Sequence, residues 1–353
     1  MEANGAFGVI VDILLLAVGF VLIIKGGDFF VDASIWMARA LKVPEIIIGA
    51  TIVSIGTTLP ELITSTTSVI KGMTEGNAAL VEGYNAIAVG NAVGSMMCNI
   101  GLILGIVMLI RPPKTEGKSF AIKGIYLLCV SVVLCIFALT NGAIELWEGI
   151  VLLVFFVLFI GINLYEAAVS AKSAPALPEQ SGAGQGSASA AAETVAKDAK
   201  TVVKRVLQFV IGAAAIALGA MLLVDNAQSL CVGIGIPQQI VGITVVAIGT
   251  SLPELVTSLT SLKKGTSDIG LGNIIGANII NATLLLGLIS CITGQGLTID
   301  AITKNVAVWV MLGISALLIV PSVIGKKTYR WQGAAMLALY LGFIVYNIIA
   351  VVI

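Results

Sequence analysis

The chain has 353 residues; 58% are hydrophobic, 11% are charged, and its 19 basic and 19 acidic side chains cancel. A soluble domain carries about a quarter charged residues, so this composition excludes a large soluble core and describes a polytopic protein of the lipid bilayer. Zero net charge leaves no footprint for nucleic acid, and the absence of His removes the commonest transition-metal ligand and the usual neutral-pH proton shuttle.

Ten spans are expected, at 7–37, 44–70, 84–110, 122–140, 143–165, 204–229, 237–262, 268–292, 302–324 and 329–353. Met1-Glu2-Ala3-Asn4 lacks a basic stretch, so the first apolar run reads as a retained span and not a cleaved signal. Cys98, Cys129, Cys135, Cys231 and Cys291 form no CxxC pair and read as small core residues. Sixteen of the 19 Lys and Arg residues fall between spans 1–2, 3–4, 5–6, 7–8 and 9–10. The opposite side holds Lys71 and Lys304, and Lys25 lies within the first span. This bias places those connections in the cytoplasm and both termini outside, in a cell (inner or plasma) membrane.

Residues 171–200 are rich in Ala, Ser, Gly and Gln without large apolar side chains, so they read as a flexible cytoplasmic linker. The linker separates a first five-helix repeat, 1–170, from a second, 201–353. An odd number of spans per half inserts the second copy upside down. The expected fold class is therefore an all-α membrane protein of ten transmembrane helices in two inverted repeats.

The repetition is written in the residues. GATIVSIGTTLPELITS (Gly49 to Ser65) recurs as GITVVAIGTSLPELVTS (Gly242 to Ser258), with twelve of seventeen positions identical at an offset of 193. Asp32 and Asp225, and Pro44 and Pro237, match at the same offset. Downstream, GNAVGSMMCNIGLILG (Gly90 to Gly105) and GNIIGANIINATLLLG (Gly272 to Gly287) match at an offset of 182.

Each first motif carries one carboxylate at membrane depth, Glu61 or Glu254. Such a group is costly and marks an ion or substrate pathway. Gly56 and Pro60 predict a helix broken or kinked between them, with freed carbonyls at Ser54 and Thr57. Helical spacing puts Thr57, Thr58 and Ser65 on the face of Glu61. The second copy offers Glu254 with Thr250, Ser251 and Ser258, and carbonyls of Ala247 and Thr250. Ser95 and Asn99 lie one turn apart in the downstream helix, and Asn281 matches Asn99. Oxygen-only ligation points to Ca²⁺, Na⁺ or a similar hard ion. Two carboxylates neutralise one Ca²⁺, and they equally suit several Na⁺ or two protons.

The paired G-T-[ST]-L-P-E motifs, each followed by G-N-x-x-G, resemble the alpha repeats of the cation/calcium exchanger superfamily, and most of all prokaryotic sodium/calcium antiporters. The resemblance implies exchange of Ca²⁺ against Na⁺ by alternating access, with ions held between the repeats at mid-membrane and no cofactor. It implies Glu61 and Glu254 as central Ca²⁺ ligands, joined by carbonyls and hydroxyls of Thr57, Thr58, Thr250 and Ser251. Ser54 and Ala247 would give carbonyls to flanking Na⁺ sites, and Ser95, Asn99 and Asn281 would complete the cage. Three positions depart from the pattern: Ala277 where Ser is usual, Met96 where Asn is frequent, and Asn281 where some members have Asp.

Other readings stand beside this one. A cation/proton exchanger on the same scaffold fits Ala277 and the missing third acid. A passive channel or a non-transporting scaffold fits the composition, though neither needs two opposed copies. An enzyme lacks support, because no nucleophile–base pair or cofactor motif is present. Asn99 and Asn281 also suit interhelical hydrogen bonding. Lys25, Asp28 and Asp32 suit an internal ion pair or interfacial groups, with Asp225 read in the same way, and Lys263-Lys264 suits a plain cytoplasmic anchor.

Overall fold

The structure, a computed structural model, describes residues 6–75, 78–113, 118–140, 142–173, 199–233, 247–294 and 296–352. The first half runs α1 (Ala6–Leu41), α2 (Glu45–Ile48), a wide π turn (Gly49–Val53) and α3 (Ser54–Glu75). Then come α4 (Ala78–Met97), a second π turn (Cys98–Leu104), α5 (Gly105–Ile110), α6 (Lys118–Thr140), β1 (Ala143–Ile144) and α7 (Leu146–Ser173). The second half opens with α8 (Ala199–Gly233), α9 (Ala247–Thr250) and α10 (Leu252–Lys263). After these follow α11 (Ser267–Ile280), a π turn (Asn281–Leu285), α12 (Leu286–Thr293) and β2 (Leu297–Thr298). A last π turn (Thr303–Ala307), α13 (Val308–Gly325) and α14 (Arg330–Val352) close the chain.

Among the described residues nine helical runs are long and apolar enough to cross a membrane, so the protein is a multi-pass helical membrane protein. The expected span 237–262 starts outside the described residues; its described part is α9 and α10. Most of the expected linker, and Pro237 with the start of the second motif, also lie outside them.

The runs that carry the motifs are the innermost, and α1, α7 and α14 turn most of their surface outward. Leu, Ile and Val dominate that outer surface, as lipid contact requires, and Trp147, Trp309 and Trp331 are exposed at helix starts, where amphipathic rings suit the membrane interface. One end of the bundle is tied by Thr328 donating to the Pro113 carbonyl at 2.6 Å and Arg330 to Ile110 at 3.2 Å. The antiparallel β1–β2 pair ties the opposite end, where Ser290 donates to the Ile144 and Glu145 carbonyls.

Glycine sets two close crossings. α1 meets α8 where Gly19 faces Gly219 and Gly26 faces Gly212, each a site at which a Cβ would sit 2.7–2.9 Å from the opposing carbonyl oxygen. At the offset of 193, Gly19 matches Gly212 and Gly26 matches Gly219, so the contact maps onto itself when the halves are exchanged. α11 crosses the first π turn with Gly272 against Ile46 and Gly276 against Ala50 and Ser54. Small residues permit this backbone approach in a membrane.

Two expectations need correction. α3 runs unbroken through Pro60. The wide turn at Gly49–Val53 lies about two turns upstream of it. In the second copy the break is present: the helix is interrupted at Ser251 (φ −89°, ψ 6°), just before Pro253. Lys264 is also no free anchor. It pairs with Asp32 at 2.8 Å and Asp28 at 3.5 Å, taking the partner role expected of Lys25.

Candidate cation-binding site

Glu61 lies on α3, two turns after the wide turn, and Glu254 lies in the first turn of α10, just after the break. Both are wholly buried; no donor meets hydrogen-bond geometry at their four carboxylate oxygens, although the Thr57 hydroxyl lies close enough to Glu254 to act on its charge. Each carboxylate feels the charge of the other, and neither joins an ion pair among the described residues. Two uncompensated charges in this position are untenable, because the desolvation penalty is several kcal/mol per ion. Protons or cations must balance them.

Further buried oxygens lie on the motif helices. Thr58, Ser251 and Ser258 hydroxyls, Asn99 Oδ1 and both polar atoms of Asn281 are buried without a partner. Buried polar atoms are normally satisfied, so these unpartnered ones are left able to bind a ligand. Among the described residues no group of three or more His, Cys, Asp or Glu side chains forms, so the donor set is two carboxylates plus neutral oxygens. That set is hard and suits Na⁺ or Ca²⁺.

The structure brings residues of both copies together. Ser95 and Thr250 hydroxyls lie 3.4 Å apart. Asn99 donates to Asn278 Oδ1 at 3.0 Å, and Asn278 donates to the Met96 carbonyl at 3.0 Å. Asn99 is therefore interhelical glue through its amide and a free acceptor through its oxygen. It sits in the second π turn, and Asn281 opens the corresponding one, where wider winding exposes backbone carbonyls. Ser54 is buried, and its hydroxyl donates to the Thr51 carbonyl at 3.0 Å. Ala247 begins α9. Ala277, beside Gly276, is fully buried.

Asn91 and Asn273, which the sequence alone does not single out, are held by residues that it does. Thr57 donates to Asn273 Oδ1 at 3.0 Å, and Thr250 donates to Asn91 Oδ1 at 3.4 Å. Thr57 matches Thr250 and Asn91 matches Asn273, so each copy clamps the other through the same pair. Asn91 also donates to Ser65 at 2.9 Å. Thr57 lies beside Glu254, so its clamp fixes the wall of the site. The signal was present: Gly-Asn stands unchanged in both downstream motifs.

Fold and site define a multi-pass membrane protein with a buried, oxygen-lined pair of carboxylates, the construction of a cation carrier. The family model described as sodium/calcium exchanger protein matches residues 11–165 and 204–349. The chain belongs to that family. It is 30% identical to the sodium/calcium exchanger MaX1 of Methanosarcina acetivorans, across 95% of this chain and 98% of that protein. It is 34% identical to the inner membrane protein YrbG of Escherichia coli, across 85% and 86%. Its fold is similar to a solved structure of the sodium-calcium exchanger NCX_Mj soaked with Na⁺ and Ca²⁺, with a TM-score of 0.76, 30% identity and coverage of 95% and 98%.

Proposed function

We propose that this chain exchanges Ca²⁺ against Na⁺ across a cell membrane by alternating access. The observation that carries the reading is the pair of buried carboxylates, Glu61 and Glu254, without an ion-pair partner among the described residues. They hold either one dehydrated Ca²⁺ or several Na⁺. Thr58, Ser251, Asn99 and Asn281 give side-chain oxygens, Thr57 and Thr250 give carbonyls while their hydroxyls hold the clamps, and Ser54, Ala247 and Ser95 line the flanks. Only a site whose charge is compensated lets the bundle change state, so the two ions compete and do not ride together.

The chain is read as ten spans in two inverted five-helix repeats joined by a cytoplasmic linker at 171–200, with both termini outside. The glycine crossing of α1 and α8 supports the inversion, because it is unchanged when the halves are exchanged. Sodium/calcium exchange in the relatives' names supports the choice of ions.

Uptake of ⁴⁵Ca²⁺ into proteoliposomes tests the reading. Uptake driven by an outward Na⁺ gradient is expected. Uptake that ignores Na⁺ and follows a pH gradient would move the chain to cation/proton exchange, with Ala277 and Asn281 as the cause. Steady cation flux without saturation would mark a channel.

A further inference from the structure

The ion pair at Lys264 has an unmade counterpart at the other end of the molecule. Lys264 ends the helical run of the second motif and reaches α1, where its Nζ lies 2.8 Å from Asp32 Oδ1 and 3.5 Å from Asp28 Oδ1 and donates to the Asp28 carbonyl at 3.0 Å. Exchange of the halves at the offset of 193 turns Lys264 into Lys71, on α3, and Asp32 into Asp225, on α8. Both charges of the pair are therefore duplicated. Their neighbours are not: Asp28 becomes Met221, and Lys263 becomes Ile70.

Among the described residues Lys71 and Asp225 make no ion pair, and both are exposed. The packing differs in the same sense. At the Lys264 end α1 seats on α10 so closely that a Cβ on Gly27 would fall 2.5 Å from Val256. Val256 becomes Ile63 on exchange, and Ile63 is 52% exposed. Thus α1 is closed on α10, while α8 stands off α3 at the matching place. α3 and α8 do meet near Gly56 and Phe209, toward the other end of both helices.

A protein of two inverted copies reaches its second state by giving each copy the conformation of the other. We propose that Lys264–Asp32 and Lys71–Asp225 are alternating latches. The first is closed here and holds α1 against α10. In the opposite state it opens, and Lys71 closes on Asp225 to hold α8 against α3. This rests on the alternating-access reading above. Lys264 has three acceptors and Lys71 would have one carboxylate, so the closure present here is the stronger of the two.

A charge-swap cycle in proteoliposomes tests the proposal. Asp225→Lys and Lys71→Asp are each expected to lower Na⁺-driven Ca²⁺ uptake by about fivefold, and the double swap to return it to within about twofold of the unaltered protein. Residues that do not touch in this structure couple only through a contact made in another state. The Asp32→Lys, Lys264→Asp cycle is the positive control. A neutral cycle, Asp225→Asn with Lys71→Gln, serves if a reversed charge impairs insertion: removing the second partner should then add nothing to the loss from the first. Independent, multiplicative effects at 71 and 225, in vesicles where the unaltered protein shows normal Na⁺-driven uptake, would overturn the latch and leave the exchange reading standing. Absence of Na⁺-driven uptake in the unaltered protein would instead overturn the exchange reading.

Discussion

Replacing Gly272 by alanine should separate the two halves at the site. The added Cβ would lie 2.4 Å from the Ile46 carbonyl oxygen, 3.0 Å from the Ala50 nitrogen and 3.1 Å from the Ile46 carbonyl carbon. All three are backbone atoms, so no rotamer change makes room. Ordinary contact starts near 3.4 Å, and α11 must therefore move from the α2 end and the following π turn by about 1 Å. Overpacking of this kind costs about 1–3 kcal/mol. The next residue, Asn273, accepts from Thr57 at 3.0 Å, and the same shift takes that bond out of range. A buried polar group left unpaired adds about 1–3 kcal/mol. Thermal denaturation of the purified protein should show a clearly lower midpoint, and Na⁺-driven Ca²⁺ uptake should fall by at least about tenfold, the equivalent of 1.4 kcal/mol. Gly313→Ala is the control, since a Cβ there meets nothing within 4 Å. A Gly272→Ala protein with unchanged midpoint and uptake would refute the crossing as the element that assembles the site.

Glu61→Gln or Glu254→Gln should abolish Ca²⁺ transport with folding intact; the thermal midpoint without Ca²⁺ should hold or rise, because the buried amide needs no proton or cation to balance it. Ca²⁺ at a hundred times its dissociation constant should stabilise the unaltered protein by about 2.7 kcal/mol and the variants not at all. Thr57→Val and Thr250→Val each break one clamp and should cost about 1 kcal/mol in thermal stability; the shorter Thr57 bond predicts the larger loss, and equal losses of zero would deny the clamp. Acidification should reduce uptake, because a protonated carboxylate no longer binds a cation, and raising Ca²⁺ should shift half-inhibition to lower pH. Inhibition by acid that excess Ca²⁺ cannot move would place the titrating group outside the site.

Sequence made the membrane class, the duplicated motifs and the central glutamates legible, because each is a local signal: a long apolar run, a repeated string, an acid where lipid depth makes one costly. Other features depend on what arrives from far along the chain. The clamp of Thr57 on Asn273 joins residues in different halves, so the unchanged Gly-Asn was visible while its role was not. Lys264 looked like an anchor because its partners, Asp28 and Asp32, lie on α1. Pro60 predicted a break or kink, and α3 stays helical through it. The same proline chemistry at Pro253 accompanies a true interruption at Ser251. One motif thus has two local outcomes, which the motif alone cannot distinguish.

Equilibrium Ca²⁺ binding to the purified protein, with Na⁺ as competitor, tests the carboxylate site most directly. The site described here predicts saturable binding of Ca²⁺ that Na⁺ displaces with a steep, cooperative dependence, and that vanishes in Glu61→Gln and in Glu254→Gln. Ca²⁺ binding that survives either substitution, or that Na⁺ leaves untouched, would contradict a single shared site between the two carboxylates.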